Sequence, residues 1–300
     1  MKNPLIKTVS NDDPAYPFLL LETGEAPTLL YYRGELPSPS DVCIAIVGTR
    51  KATREGLSVA RTIAYDLAKE GFTIVSGLAL GIDRAAHEGA LQAKGKTFAV
   101  LANGLDQIYP HEHESLGNQI IDEGGGLISE YPPHSPSLPH QFLERNRITS
   151  GLSVATIVIE APIHSGALST ARHALQQGRE IFVVPGPAQS SYYEGSHMLI
   201  REGARLVTNT REIIEDILPL LEHLNLSMPT PNTHHSPSHL ENSEDPILGL
   251  LKNEGRPLSV DTIIEMTTLD PHMVQNMLSL LVIDGSIEEH NGLYRLIRHH

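Results

Sequence analysis

The sequence predicts an α/β protein built on a Rossmann-like parallel sheet with helices on both faces. Two observations lead to this prediction. From about residue 42, short apolar runs rich in Val and Ile alternate with segments of helical periodicity. The apolar runs are continuous rather than alternating with polar residues, which is typical of parallel strands buried on both faces. Strand order does not follow from this pattern.

The alternation continues as far as residue 213 and defines each element. Seven runs are predicted strands: Cys43–Val47, Thr73–Val75, Thr97–Leu101, Gly126–Ser129, Ala155–Ile159, Glu180–Val184 and Arg205–Val207. Three intervening helices end at a glycine, which suits a helix C-terminus: Thr53–Glu70 before Gly71, Ile82–Lys94 before Gly95 and Gly166–Gln177 before Gly178.

The chain of 300 residues is long enough for two domains. Residues 1–40, rich in proline, are expected to be an extended N-terminal lead-in packed on a main domain of residues 41–224. Residues 225–244 are rich in Pro, Ser, Asn and His without periodicity, and indicate a flexible linker. Residues 245–300 are expected to form a small winged-helix-like domain.

That prediction for the C-terminal domain depends on its order of elements. The pattern indicates helices at 246–253, Val260–Met266 and Pro271–Leu281, followed by a hairpin of residues 286–289 and 293–296. The predicted recognition helix, Pro271–Leu281, contains no Lys or Arg, and residues 245–300 carry a net charge of −4. Such a surface repels phosphate, so we expect this domain to contact protein rather than DNA.

Composition indicates a cytoplasmic protein without a membrane segment. The single cysteine, Cys43, cannot form an internal disulfide, and no apolar run is long enough to cross a bilayer. The net charge of −14 argues at first against nucleic acid. However, −9 of this charge lies in residues 214–300, so a basic site within residues 41–213 remains compatible with the composition.

Glycine-containing turns follow the predicted strands where ligands bind in doubly wound sheets. The first turn holds Gly48, Thr49, Arg50 and Lys51, and the second holds Ser76 and Gly77. A helix start at such a turn offers free N–H groups that suit phosphate, although a tight turn alone also explains each motif. Later segments add further candidates: Gly104, His111, Phe142, Arg145, Asn146, Arg147, Ser165 and Gly166. An edge of this kind suits an extended polyanion better than a compact metabolite.

The ordered series of motifs resembles the DprA/Smf family of DNA-processing proteins over roughly residues 15–215. The segments that carry the resemblance are VGTR, IVSGLALGID with AAH, VLANGLDQIYP, LISEYPP, FLERNRI, IVIEA, SGALSTA, VVPGP and LIREGA. It implies a homodimeric, non-enzymatic mediator that binds and protects single-stranded DNA and loads the recombinase RecA during natural transformation.

The resemblance also implies roles for particular residues. Gly48, Thr49 and Arg50 match the family's G-[ST]-R phosphate-binding motif, and Arg145 and Arg147 match its R-N-R element. The chain departs from the family where His111 and His113 replace a basic residue and an Asn. We expect these largely uncharged histidines to weaken DNA binding near neutral pH. Leu143 departs likewise, standing where relatives commonly have Pro.

Two other functions stay open. A LOG-type nucleotide phosphoribohydrolase shares a related fold, but the nearest match to its PGGxGTxxE motif begins at His164 and lacks the Glu. A partner-binding scaffold that has lost its ligand would explain the acidic charge. No cofactor is expected, and His111-x-His113 alone is too weak a pattern to predict a metal.

Overall fold

The computed structural model describes residues 5–231 and, in the C-terminal part, residues 250–251, 256–267, 274, 278, 281, 287–290 and 293–296. The chain divides into two compact units, Met1–Thr233 and His234–His300. The predicted linker lies mostly outside the described residues, as does most of the predicted helix Pro271–Leu281.

The first unit contains a nine-stranded sheet in the order β1-β2-β6-β5-β4-β3-β7-β8-β9. Its strands are β1 (Lys7–Ser10), β2 (Leu29–Gly34), β3 (Cys43–Val47), β4 (Thr73–Ser76), β5 (Thr97–Val100), β6 (Gly126–Ser129), β7 (Ala155–Val158), β8 (Glu180–Val183) and β9 (Arg205–Leu206). Strands β3 to β9 are parallel, and all seven predicted strands are confirmed. The order reverses between β3 and β7, so the topological switch point lies there.

Eight helices belong to the described part of this unit. They are α1 (Phe18–Leu21), α2 (Arg54–Lys69), α3 (Ile82–Gln92), α4 (Glu114–Asp122), α5 (Pro139–Gly151), α6 (Gly166–Gln176), α7 (Glu194–Arg201) and α8 (Thr210–His223). The helix α2 begins because the Thr53 side chain accepts a hydrogen bond from the Gly56 N–H, a typical N-cap.

The central strand β3 is buried on both faces, as the continuous apolar pattern predicted. Ile44 and Ile46 pack into one hydrophobic cluster with Ala60 and Ile63 of α2. Cys43 belongs to a different cluster, which includes Ile148 of α5. Alternate residues of a strand point to opposite faces, so helices cover both sides of the sheet.

Residues 1–40 contribute strands β1 and β2 to the sheet. The sequence predicted only an extended segment there, without strands. Strand β2 pairs antiparallel with β6, and β1 pairs antiparallel with β2. The sheet is therefore parallel only from β3 onwards. These two strands are stabilised by pairing with a segment nearly 100 residues later in the chain, which local sequence patterns do not reveal.

The C-terminal unit has the elements of a small helix-and-sheet domain. A three-stranded sheet has the order β10-β12-β11, formed by β10 (Leu258–Ser259), β11 (Ile287–His290) and β12 (Leu293–Leu296). The helix α9 (Val260–Thr267) follows β10. Strands β11 and β12 form the predicted hairpin, with Ile287 opposite Leu296.

Candidate functional site

A cleft of about 650 Å³ opens at the carboxyl ends of β3, β4 and β7, which is the switch point of the sheet. Five short segments of chain contribute to it. They supply Val47, Gly48, Thr49, Arg50, Lys51, Gly77, Ala79, Asp83, Tyr109, Ser137, Pro139, Phe142, Leu143, Arg145, Asn146, Thr149, Ser165, Gly166, Ala167 and Thr170. The cleft therefore joins the first and second predicted turns and the segment that begins at Ser165 with one face of α5.

The first turn presents its charge at the rim of the cleft. The Thr49 hydroxyl accepts a hydrogen bond of 3.2 Å from the Lys51 N–H, which shapes the turn. Arg50 and Lys51 are exposed. The Arg50 guanidinium lies 4.7 Å from the centre of the Phe142 ring, a cation–π distance. Among the described residues no carboxylate forms an ion pair with Arg50, although the side chain is exposed.

The N-terminus of α2 already holds an anion supplied by the protein. The buried Glu160 carboxylate accepts hydrogen bonds from the Thr53 N–H at 2.9 Å and the Thr53 hydroxyl at 2.6 Å. Tyr193 donates a third at 3.0 Å. A side chain at Gly56 would collide with this carboxylate, since its Cβ would lie 2.4 Å from the carboxyl carbon. The predicted phosphate position at this helix start is therefore occupied.

The second turn is held in an unusual conformation by buried groups. Leu78 has a positive φ of 56°, which is rare for a residue with a side chain. The Asp83 carboxylate accepts hydrogen bonds from Gly77 N–H at 3.1 Å and Ala79 N–H at 3.4 Å. Buried His113 donates from Nδ1 to the Leu78 carbonyl at 2.8 Å. His113 thus shapes the backbone beside the cleft.

Arg145 is a buried structural residue as well as a cleft residue. Its side chain donates to the carbonyls of Gly77, at 2.9 Å, and Val100. Burial lowers the pKa of Arg145 to about 10, with Asp83 opposing the shift, so the guanidinium is charged at neutral pH. Burial raises the pKa of Asp83, and Arg145 is the largest influence that lowers it. The two charges stabilise each other beneath the cleft.

The far wall of the cleft comes from α5 and the start of α6. Asn146 donates through Nδ2 to the Gly166 carbonyl at 3.2 Å and so connects the two helices. Ser165 is the N-cap of α6 and accepts from the Ala167 N–H at 3.2 Å. Three of the candidate residues thus line the cleft: Asn146, Ser165 and Gly166.

Two predicted site residues lie within the fold instead. The Ser76 side chain is fully buried and donates to the Ile46 carbonyl at 2.7 Å, so its hydroxyl is used within the sheet. The Gly104 N–H donates to the Ser135 carbonyl at 3.0 Å, and Gly104 does not line the cleft. Both residues stabilise the turns without reaching a ligand in the cleft.

Two further predicted residues face elsewhere. His111 is exposed in the short 3-10 turn His111–His113 and does not line the cleft. Arg147 also lies outside the cleft, where it forms a 2.5 Å ion pair with Glu130. The two arginines of the R-N-R element therefore have different surroundings, and neither is a free cation at the cleft.

Sequence reasoning missed Thr149, which lies on the cleft face of α5. The residues of α5 that line the cleft include Phe142, Arg145, Asn146 and Thr149. Their spacing of i, i+3, i+4 and i+7 is that of one helix face. This spacing was visible in the sequence and also places Arg147 on another face.

Two further observations concern the described residues as a whole. Within residues 5–231 and the described C-terminal segments, no helix is long and apolar enough to cross a membrane. The same residues contain no group of three His, Cys, Asp or Glu side chains placed to hold a metal.

The fold and the site define a Rossmann-like protein whose switch-point cleft has a cationic rim, joined to a smaller C-terminal domain. The family model described as DNA recombination-mediator protein A matches residues 7–218, and the model of the DprA winged helix domain matches residues 231–292. The chain therefore belongs to the DNA recombination-mediator protein A family, and its C-terminal domain is a winged helix, as predicted.

Named relatives agree with this assignment. The chain is 39% identical to Protein Smf of Escherichia coli over 99% of this chain and 79% of that protein. It is 40% identical to DNA processing protein DprA of Streptococcus pneumoniae over 68% of this chain and 72% of that protein. Both alignments cover more than two thirds of the relative.

Solved structures of two relatives share the fold. The Streptococcus pneumoniae protein DprA matches with a TM-score of 0.67 at 39% identity, covering 72% of this chain and 75% of that one. DNA processing protein A from Helicobacter pylori matches with a TM-score of 0.64 at 32% identity, covering 73% of this chain and 99% of that one. The Helicobacter pylori structure was reported for its single-stranded DNA binding mode.

Proposed function

We propose that the cleft binds single-stranded DNA and that the protein is a non-enzymatic recombination mediator. The observation that carries the proposal is the unpaired Arg50 guanidinium at the rim, beside Lys51 and stacked on Phe142. A cation free of internal carboxylates binds phosphate, and the neighbouring Phe142 and Tyr109 rings, 5.8 Å apart, offer faces for bases. The single-stranded DNA binding of the Helicobacter pylori relative supports the same reading.

Family membership supports a wider role. We propose that the protein is a cytoplasmic homodimer that protects incoming single strands and loads RecA during natural transformation. Dimerisation would let one strand meet two clefts and raise the apparent affinity through effective concentration. The winged helix is proposed to contact protein, because residues 245–300 carry a net charge of −4.

The hydrolase alternative has little support from the site. Asp83 is the one acidic residue among those that line the cleft, and two backbone N–H groups already hold its carboxylate. Glu160 is buried beneath α2 and satisfied by Thr53 and Tyr193. A general acid or base must reach a substrate, and neither carboxylate is placed to do so.

Arg50→Ala is expected to weaken binding of a labelled oligo-dT by about tenfold or more, as measured by fluorescence anisotropy. Loss of one phosphate contact should also reduce the slope of log affinity against log salt by about 0.7. The wild-type protein should prefer the single strand over the matching duplex.

The matched control is Arg211→Ala, which removes the same charge from an exposed position on α8 paired with Glu215. It should change the affinity less than about twofold, since it lies away from the cleft. Equal losses for both variants would mean that only net charge matters. Absence of wild-type binding at low salt would refute the proposed function.

A further inference from the structure

The floor of the cleft contains a buried hydroxyl without a partner. Thr149 is 2% exposed and lines the cleft, and its Oγ1 has no hydrogen-bond partner in the described part of the chain. A buried polar group left unpaired costs about 1–3 kcal/mol, so native proteins nearly always satisfy such groups. The hydroxyl is therefore placed to bond a ligand group that enters the cleft.

Other polar side chains on this floor are engaged within the protein. Asn146 donates to the Gly166 carbonyl, Arg145 donates to backbone carbonyls, and Asp83 accepts from backbone N–H groups. Rearrangement of these groups to meet Thr149 would break bonds already made. Of these four side chains, Thr149 is thus the one whose polar atom has no partner.

The two helices that start at this edge differ in their capacity for an anion. The start of α2 is filled by the Glu160 carboxylate. The start of α6 is capped by the neutral Ser165 hydroxyl, and Ser165, Gly166 and Ala167 all line the cleft. The Ala167 and Leu168 N–H groups are bonded to Ser165. The Gly166 N–H and the positive end of the helix dipole remain to favour an anion at this start.

We propose that the N-terminus of α6 and the Thr149 hydroxyl together form a seat for one phosphodiester group of the bound strand. This rests on the proposed function and specifies where a phosphate lies within the cleft. Thr149 donates its hydroxyl proton to a non-bridging phosphate oxygen, and the helix start supplies the favourable field. Arg50 and Lys51 then meet a neighbouring phosphate at the rim, where Phe142 faces the bases.

The test compares Thr149→Val, which keeps the shape but removes the hydroxyl, with Thr149→Ser, which keeps the hydroxyl. Affinities are measured by anisotropy for a short oligo-dT and for an abasic strand of the same length. Thr149→Val should lower the affinity for both strands about fivefold to tenfold. The slope of log affinity against log salt should not change, because no charge is removed. Serine should stay within about twofold of wild type.

Three results would overturn the seat. A valine penalty that disappears on the abasic strand would show that Thr149 contacts a base. No penalty on either strand would show that the hydroxyl does not engage the ligand. A serine variant as weak as the valine variant would show that shape, not the hydroxyl, matters.

A measurement on the wild-type protein keeps the proposal testable if the valine variant fails to fold. Each linkage of the short strand is replaced in turn by a neutral methylphosphonate. Two neighbouring internal linkages, one at the rim and one at the seat, should each cost about tenfold more than the terminal ones. A single sensitive linkage, or a uniform small loss, would contradict the seat. Wild-type protein that binds no single strand would instead refute the proposed function, so the two failures are distinguishable.

Discussion

Arg145→Ala is expected to lower the free energy of unfolding by about 3–5 kcal/mol, measured by urea denaturation at neutral pH. The variant leaves the carbonyls of Gly77 and Val100 without their donor. It also removes the positive charge that favours the ionised form of buried Asp83. A lone buried carboxylate is costly, so the loss exceeds that of ordinary hydrogen bonds.

Arg50→Ala is the matched control for this prediction, since both arginines line the cleft. Arg50 is exposed and unpaired within the described residues, so its removal should change stability by less than about 0.5 kcal/mol. The expected pattern is that Arg145 governs stability and Arg50 governs DNA affinity. An Arg145 variant with wild-type stability and lost binding would show that Arg145 acts mainly as a ligand-binding residue.

Mild acid is expected to destabilise the protein through His87. Burial lowers the pKa of this fully buried imidazole to about 3, with His113 and Arg145 adding to the shift. The unfolded chain binds the proton near pH 6.5, so the stability from neutral His87 is complete above that pH. It is then lost as the pH falls from about 6.5 towards 3, at about 1.4 kcal/mol per pH unit.

The measurement compares wild type with His87→Asn in urea at pH 7 and pH 5. The wild type should lose about 2 kcal/mol more than the variant over this interval. Asn cannot titrate, and its amide can donate to Thr97 Oγ1 as His87 Nδ1 does at 2.7 Å. The variant has its own stability at pH 7, so the comparison uses the change with pH. Equal changes in the two proteins would contradict the assigned pKa.

The parallel part of the sheet was predictable because its signal is local. Each strand from β3 to β8 is a short apolar run, and helical periodicity separates one strand from the next. The N-terminal strands gave a weaker signal, since they lie among prolines. Strand order, and with it the switch point, depends on contacts between distant segments and did not follow from the sequence.

The site was predicted in its location and only partly in its residues. Glycine turns at strand ends correctly indicated the edge of the sheet where the cleft lies. The occupation of the α2 start by Glu160 was not predictable, because that carboxylate comes from a residue 107 positions away from Thr53. Arg145 likewise can be buried because it bonds the carbonyl of Val100, which lies on strand β5 and far from Arg145 in the sequence. Local sequence motifs identify candidate site residues. Contacts between distant parts of the chain determine which of these residues are free to bind a ligand.

The most direct test of the account is to locate the bound strand by crosslinking. An oligo-dT carrying photoreactive 4-thiothymidine is irradiated with the full-length protein, and the modified peptides are identified by mass spectrometry. Crosslinks are expected near the first turn, on the cleft face of α5 and at the start of α6. They should be lost in Arg50→Ala at matched concentration. Crosslinks concentrated in residues 245–300, or unaffected by Arg50→Ala, would contradict the claim that this cleft binds single-stranded DNA.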